Sequence, residues 1–212
     1  MKIRMELTDL VGLYGKAGLS IVGRVTDNLV NGFHSLFSVD DDLKYDYFRD
    51  KAIDNARNGR YRQAREILSQ LSDIRPEDDD VALYLGVSLL KTGESESGIK
   101  LLAATYEKSP ENAQVRSILG IAYLQAEDYE AAIPLLQATA DDAPDDFKAH
   151  YRLASAYDKL KKHEEALVGF GRAAELQPNN PKVFRMLGFT YEALEMHDEA
   201  TEALKHAMEL EE

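Results

Sequence analysis

Positions that would line a helix face recur in this chain at two spacings, one short and one long. From about residue 45 onward they fall at i, i+3, i+4 and i+7, as in His150, Leu153, Ala154 and Tyr157, which predicts an amphipathic helix. After a short turn a second set follows, Ala166, Phe170 and Ala173, and predicts a second helix. The pair then repeats. Leu85, Leu119, Leu153 and Leu187 lie 34 residues apart, each followed by a small residue: Gly86, Gly120, Ala154 and Gly188. Tyr123, Tyr157 and Tyr191 keep the same step, as do Ala132, Ala166 and Ala200, and Pro76, Pro110, Pro144 and Pro178.

A 34-residue period built from Leu-Gly, Tyr, Ala and a closing Pro is the tetratricopeptide signature. The predicted fold is all-α: a right-handed solenoid of antiparallel helix pairs, five repeats preceded by an N-terminal helical segment. Aligned on the prolines, the repeats are 45–78, 79–112, 113–146, 147–180 and 181–212. The small residues sit where the two helices of a unit cross, and proline ends each unit because it cannot continue a helix. The first unit departs most, with Lys51 and Asn55 where Leu and Tyr are expected, although Phe48, Ala52, Ala64, Leu68 and Pro76 fit. Gly98 replaces the helix-crossing Ala of the second unit, at a helix-propensity cost of about 1 kcal/mol. Pro134 lies one turn into the second helix of the third unit, where it deletes a hydrogen bond. These two positions mark an expected hinge. The expected organisation is an N-terminal segment 1–44, a block of repeats 1 and 2 over 45–112, and a block of repeats 3 to 5 over 113–212.

Charge and composition narrow the function. The net charge of −13 opposes binding to nucleic acid, which needs clustered Lys and Arg, and opposes broad attachment to anionic lipid. There is no Cys, so disulfides and thiolate metal sites are excluded and a reducing cytoplasm is the natural compartment. The opening MKIRMELTDL does not read as a signal peptide. The uncharged run Asn28 to Val39 is too short for a bilayer that needs ~20 residues, so no transmembrane insertion is expected. His150, His163 and His197 hold repeat-equivalent or core positions, there is no HExxH pattern, and no metal or cofactor is expected. The acidic runs at 77–80 and 141–146 fall where helices begin, which suits the positive helix N-terminus. No phosphate loop, GxSxG or paired nucleophile and base is present, so no catalytic residue is named and the chain is not read as an enzyme.

Proteins of this repeat class line a concave groove with the first helix of each unit. In this register the groove positions include Arg49, Ile53, Leu83, Val87, Leu90, Ile121, Leu124, Tyr151, Arg185 and Phe189. Its middle is apolar and suits an amphipathic helix better than an acidic peptide. Leu83 and Val87 stand where chaperone-tail binders carry Lys and Asn. Asp at these two positions is expected to leave folding nearly intact while dispersing assemblies. The chain itself supplies an apolar segment with Leu10, Tyr14, Ile21, Val25, Leu29, Phe33 and Phe37, broken by Gly12, Gly15, Gly18, Gly23 and Gly32. Through residue 39 it carries four basic against three acidic residues, so the acidic remainder attracts it. Either it packs on the first unit as a degenerate sixth repeat, or it enters the groove of a neighbouring copy. The last unit reaches Glu212 without an added polar capping helix, which leaves an end for contact.

The wording of particular segments goes beyond a generic repeat. YGKAGLS and FHSLFSVDDD near the start, YFRDKAI and GRYRQA in the first repeat, VALYLGVSLLKTG in the second, YEAAIPLLQ with its in-helix proline, and HEEAL at 163–167 resemble the magnetosome-associated tetratricopeptide-repeat family. The resemblance runs from about residue 12 to the C-terminus. It implies a cytoplasmic, homo-oligomeric protein, peripheral on the magnetosome membrane. There it would act as a scaffold for other magnetosome proteins, including a membrane-bound receptor, and so take part in biomineralization. A generic cytoplasmic adaptor gripping a helical peptide of an unrelated complex would share the solenoid and is the alternative.

The Gly98 and Pro134 pattern generates one prediction. Across several crystal forms the two repeat blocks should differ by rigid-body rotation about residues 98–134, and an invariant inter-block angle would count against the hinge.

Overall fold

The computed structural model of the chain describes residues 41–211 together with Gly12 and Gly15. From residue 41 it contains ten helices: α1 Asp41–Arg57, α2 Tyr61–Ile74, α3 Asp79–Lys91, α4 Ser95–Lys108, α5 Ala113–Gln125, α6 Tyr129–Asp142, α7 Phe147–Lys159, α8 His163–Leu176, α9 Pro181–Ala193 and α10 His197–Glu209. No strand occurs among the described residues. The all-α tetratricopeptide class expected from the period is therefore the class observed, with helix starts stepping by 34 residues. The first helix begins at Asp41, one turn ahead of the proline register, with Asp41 and Asp42 in the first turn where carboxylates favour the helix N-terminus.

Side chains define the starts of the first helices. Asp78, Asn112, Asp146 and Asn180, again 34 apart, each accept a hydrogen bond from a backbone N–H of the following turn. Their ends are defined by backbone geometry. Gly59, Gly93, Glu127, Lys161 and Glu195 all take positive φ, between 59° and 91°. After each of them the next N–H reaches back to a carbonyl five residues earlier: Arg60 to Asn55, Glu94 to Leu89, Asp128 to Tyr123, Lys162 to Tyr157 and Met196 to Tyr191, at 2.8 to 3.0 Å. This is the Schellman ending, and it turns the chain sharply enough for the second helix to fold back on the first. Glycine adopts the left-handed conformation freely in the first two units, whereas Glu127, Lys161 and Glu195 adopt it against the clash of a Cβ.

Two compact units divide the described chain, one ending at Leu101 and the other beginning at Leu102. In the first, α1 packs on α2, α2 on α3, and α1 on α3. Its core holds Tyr45, Phe48, Ala52, Leu68, Leu71, Val81 and Leu85. In the second, α5 to α10 each pack on the next. One core there gathers Ala132, Leu136, Ala149 and Leu153, and another Ala154, Phe170, Val183 and Leu187. Helix α4 runs unbroken through Gly98, and α6 runs unbroken through Pro134. Glu130 and Pro134 are both exposed, so the carbonyl freed by the missing N–H is open to water. Gly98 has a packing reason to lack a side chain: a Cβ there would lie 3.0 Å from the Gly86 carbonyl oxygen and from Leu90 Cγ.

The left-handed turn positions yield a stability prediction. Replacing Glu127, Lys161 or Glu195 by Gly removes a strain of about 1–2 kcal/mol and adds back some backbone entropy. Each substitution should thus stabilise the fold by up to about 1 kcal/mol, read as a raised denaturant midpoint. Gly93→Ala should act in the opposite direction.

Candidate functional site

The most densely connected polar cluster of the first unit joins α1 to the start of α3. Tyr45 is buried, and its hydroxyl donates to Asp78 Oδ2 at 3.0 Å. Asp78 Oδ1 accepts the Val81 N–H at 3.1 Å and so caps α3. Arg49 reaches the same carboxylate, with Nε 3.6 Å from Asp78 Oδ2, and places Nη2 3.2 Å from Asp80 Oδ2. The Arg75 guanidinium lies 4.0 Å above the Tyr45 ring and also pairs with Asp42. Burial pushes the Tyr45 hydroxyl to well above its ordinary pKa, and the hydrogen bond and negative charge of Asp78 add to the effect. The cluster ties consecutive repeats together. The second unit has ion pairs within repeats, Arg116 with Asp142 and Arg185 with Glu211 at 2.6 Å, both spanning 26 residues, and one across a repeat boundary, Arg172 with Asp145 at 3.0 Å.

The predicted groove residues fall into distinct environments. In the first unit Arg49 belongs to the cluster just described, Ile53 and Leu83 are buried, and Val87 and Leu90 are half-buried. In the second, Ile121 and Leu124 are half-buried against the Ala132–Leu136 core. Tyr151 packs edge-on to Phe170 at 5.5 Å and stacks on Phe147. Arg185 is held by Glu211, and Phe189 is 54% exposed. Leu83 is only 1% exposed, so Asp at that position would bury an unpaired charge and destabilise the first unit. Phe189 is the apolar groove position where Asp leaves packing intact. The segment residues Leu10, Tyr14, Ile21, Val25, Leu29, Phe33 and Phe37 lie outside the described residues. Gly12 is described: it is helical and set against Tyr47, where a Cβ would come within 2.7 Å of the Tyr47 hydroxyl oxygen.

The histidines have local partners. His150 Nε2 lies 3.0 Å from the Pro144 carbonyl oxygen, His163 Nδ1 3.4 Å from Asp158, and His197 Nδ1 3.2 Å from Glu192. Among the described residues no group of three or more His, Asp or Glu converges as a metal would require. Sequence reasoning missed a cavity of about 390 Å³ lined by Arg60, Arg62, Lys91 and Thr92. Arg60 and Arg62 open α2 just after the Gly59 turn, and that spacing was the signal available.

Helix pairs on a 34-residue register from Tyr61 onward, turned alike in every unit and capped alike at the first helices of the second to fifth units, define a tetratricopeptide-repeat protein, a class that works by holding other proteins. The family profile for this repeat matches residues 56–122, 119–181 and 183–212. The solved structure of MamA MSR-1 superposes with a TM-score of 0.76 at 38% identity, covering 80% of this chain and 97% of that one. MamA AMB-1 gives a TM-score of 0.75 at 41% identity, covering 77% and 96%. The chain belongs to the MamA family of tetratricopeptide-repeat proteins. Among curated relatives, Magnetosome protein MamA of Paramagnetospirillum magnetotacticum is 44% identical over 81 residues, 38% of this chain and 37% of that protein. The Magnetospirillum gryphiswaldense protein is 43% identical over the same length. These local alignments span little more than a third of the curated relatives. Family and fold together give the chain the role of a protein-interaction scaffold.

The Tyr45 cluster predicts a pH dependence. The folded state holds the Tyr45 proton more tightly than the unfolded chain, so this contribution is complete below the ordinary pKa of 10.0 and is lost as pH rises beyond it. Tyr45→Phe should cost about 1 kcal/mol at neutral pH through the lost hydrogen bond to Asp78. It should also flatten the alkaline decline, as measured by denaturant midpoints on either side of the tyrosine pKa.

Proposed function

We propose that the chain is a self-assembling scaffold that coats the cytoplasmic face of the magnetosome membrane and recruits other magnetosome proteins to it. The observation that carries the self-assembly part is the approach of Gly12 to Tyr47. A residue of the N-terminal segment is set against the first repeat, where a Cβ at Gly12 would lie 2.7 Å from the Tyr47 hydroxyl oxygen. A segment that docks this way on its own repeat can dock on the same surface of a neighbour, and such exchange links copies head to tail. The glycine-broken segment needs a surface on which to be helical, and its net positive charge suits an acidic array. Burying four or five of its large apolar side chains would contribute on the order of 8–12 kcal/mol before association costs.

The membrane part of the reading draws on the relatives, which are named magnetosome proteins. None of the described helices is long and apolar enough to cross a bilayer. With a net charge of −13, contact with an anionic membrane runs through a protein receptor instead of through lipid. Phe189, exposed on α9, offers a contact for partner proteins.

Light scattering of three proteins tests this reading. The full chain should form large species, whereas a chain lacking residues 1–40 should remain monomeric. Gly12→Leu should raise the concentration required for assembly, because its side chain must displace the Tyr47 ring. Undiminished assembly of the shortened chain would contradict the role given to the segment.

A further inference from the structure

The turn edge of the first unit carries a cluster of positive charge that no described residue neutralises. Arg60 and Arg62 stand at the N-terminus of α2, and Lys91 at the end of α3 lines the same cavity of about 390 Å³. In a chain of net charge −13, most basic side chains of this unit have partners. Arg49 holds Asp78 and Asp80, Arg75 holds Asp42, Arg57 donates to the Tyr84 hydroxyl, and Lys44 holds Asp41. Arg65 is the informative neighbour. It pairs with Glu94 and donates to Thr92 Oγ1 at 3.3 Å, so the carboxylate closest in sequence to Lys91 is already engaged. Among the described residues Arg60, Arg62 and Lys91 find no ion pair or side-chain hydrogen bond. The field they set up is reinforced by the start of α2, where Arg60 provides no side-chain cap.

The equivalent turn of the last repeat is the opposite in sign. Glu195 occupies the left-handed turn position that Gly59 occupies in the first, and Asp198, Glu199 and Glu202 follow along α10. All four are exposed, and none has an ion pair or side-chain hydrogen bond among the described residues. Asp198 and Glu199 have a local reason to be acidic, since they lie in the first turn of α10. Glu195 and Glu202 have no such reason.

We infer that the basic turn edge formed by Arg60, Arg62 and Lys91 is a docking site for the acidic turn edge of a second copy of this chain, formed by Glu195, Asp198, Glu199 and Glu202. The inference rests on the self-assembly reading and adds a polarity to it: the first repeat of one molecule meets the last repeat of the next. Such a contact is heterologous and so propagates into a ring or a filament. Exposed ion pairs add little affinity singly, and the contact serves to orient and speed the encounter of copies that apolar burial then holds.

The test mixes two full-length variants. Arg60→Glu/Arg62→Glu places carboxylates at a helix N-terminus, where they are favoured, so the fold is spared. Glu195→Lys/Glu202→Lys leaves the first turn of α10 alone, and Lys161 already occupies the matching left-handed position in the fourth repeat. Each variant alone should require a concentration roughly tenfold or more above wild type to assemble at low salt, while the two mixed should co-assemble near the wild-type threshold. Their thresholds should also converge with that of wild type at high salt. Either variant alone assembling like wild type, or a mixture no better than its components, would overturn the inference while leaving self-assembly standing. A wild-type chain that stays monomeric at every concentration would overturn the self-assembly reading and this inference together.

Discussion

Close crossing of the two helices within each repeat is the constraint on which the rest of the structure depends. At Gly188 a Cβ would come within 2.6 Å of Leu204 Cγ, at Gly120 within 3.1 Å of Leu135 Cβ, and at Gly98 within 3.0 Å of the Gly86 carbonyl oxygen. Helices packed this closely leave no room for an added methyl group unless a neighbouring side chain or backbone segment shifts. The approach in turn demands a sharp reversal between the helices, which the left-handed residue and its Schellman hydrogen bond supply in every unit. The remaining side chains of the first helices are then free to pack on the next repeat or to face outward.

That constraint explains what could be read from the amino-acid sequence. Small residues at crossings, prolines between units and a Tyr whose carbonyl closes the turn all repeat because the local geometry repeats, so period, repeat boundaries and helix pairs were legible. Interactions joining residues about one period apart were not. The Tyr45–Asp78–Arg49 cluster leaves no periodic trace, since it belongs to the junction of the first two repeats alone. Glu127, Lys161 and Glu195 concealed a turn that Gly59 and Gly93 announce, because only glycine signals positive φ by its identity. Gly98 reads as a weak point on helix propensity, while in the fold its missing side chain admits the Gly86 carbonyl and Leu90. The residues assigned to the groove lie on the first helices, yet register carries no information on burial, and Ile53 and Leu83 turn inward while Phe189 faces out.

Function in such an array follows from surfaces that the fold leaves unsatisfied. Apolar burial can supply affinity, but it is indifferent to direction, so copies joined by it alone could meet in several ways. Charge supplies direction, since like-charged edges repel and unlike edges attract over a Debye length. The approach of Gly12 to Tyr47, an exposed Phe189 and turn edges of opposite sign give the chain both kinds of surface.

Sedimentation velocity of the intact chain across a wide concentration series tests the central claim most directly. A self-assembling scaffold predicts a mass that rises with concentration far above the 23.8 kDa of one chain, through a ladder of discrete species. A single 23.8 kDa species throughout would contradict the account.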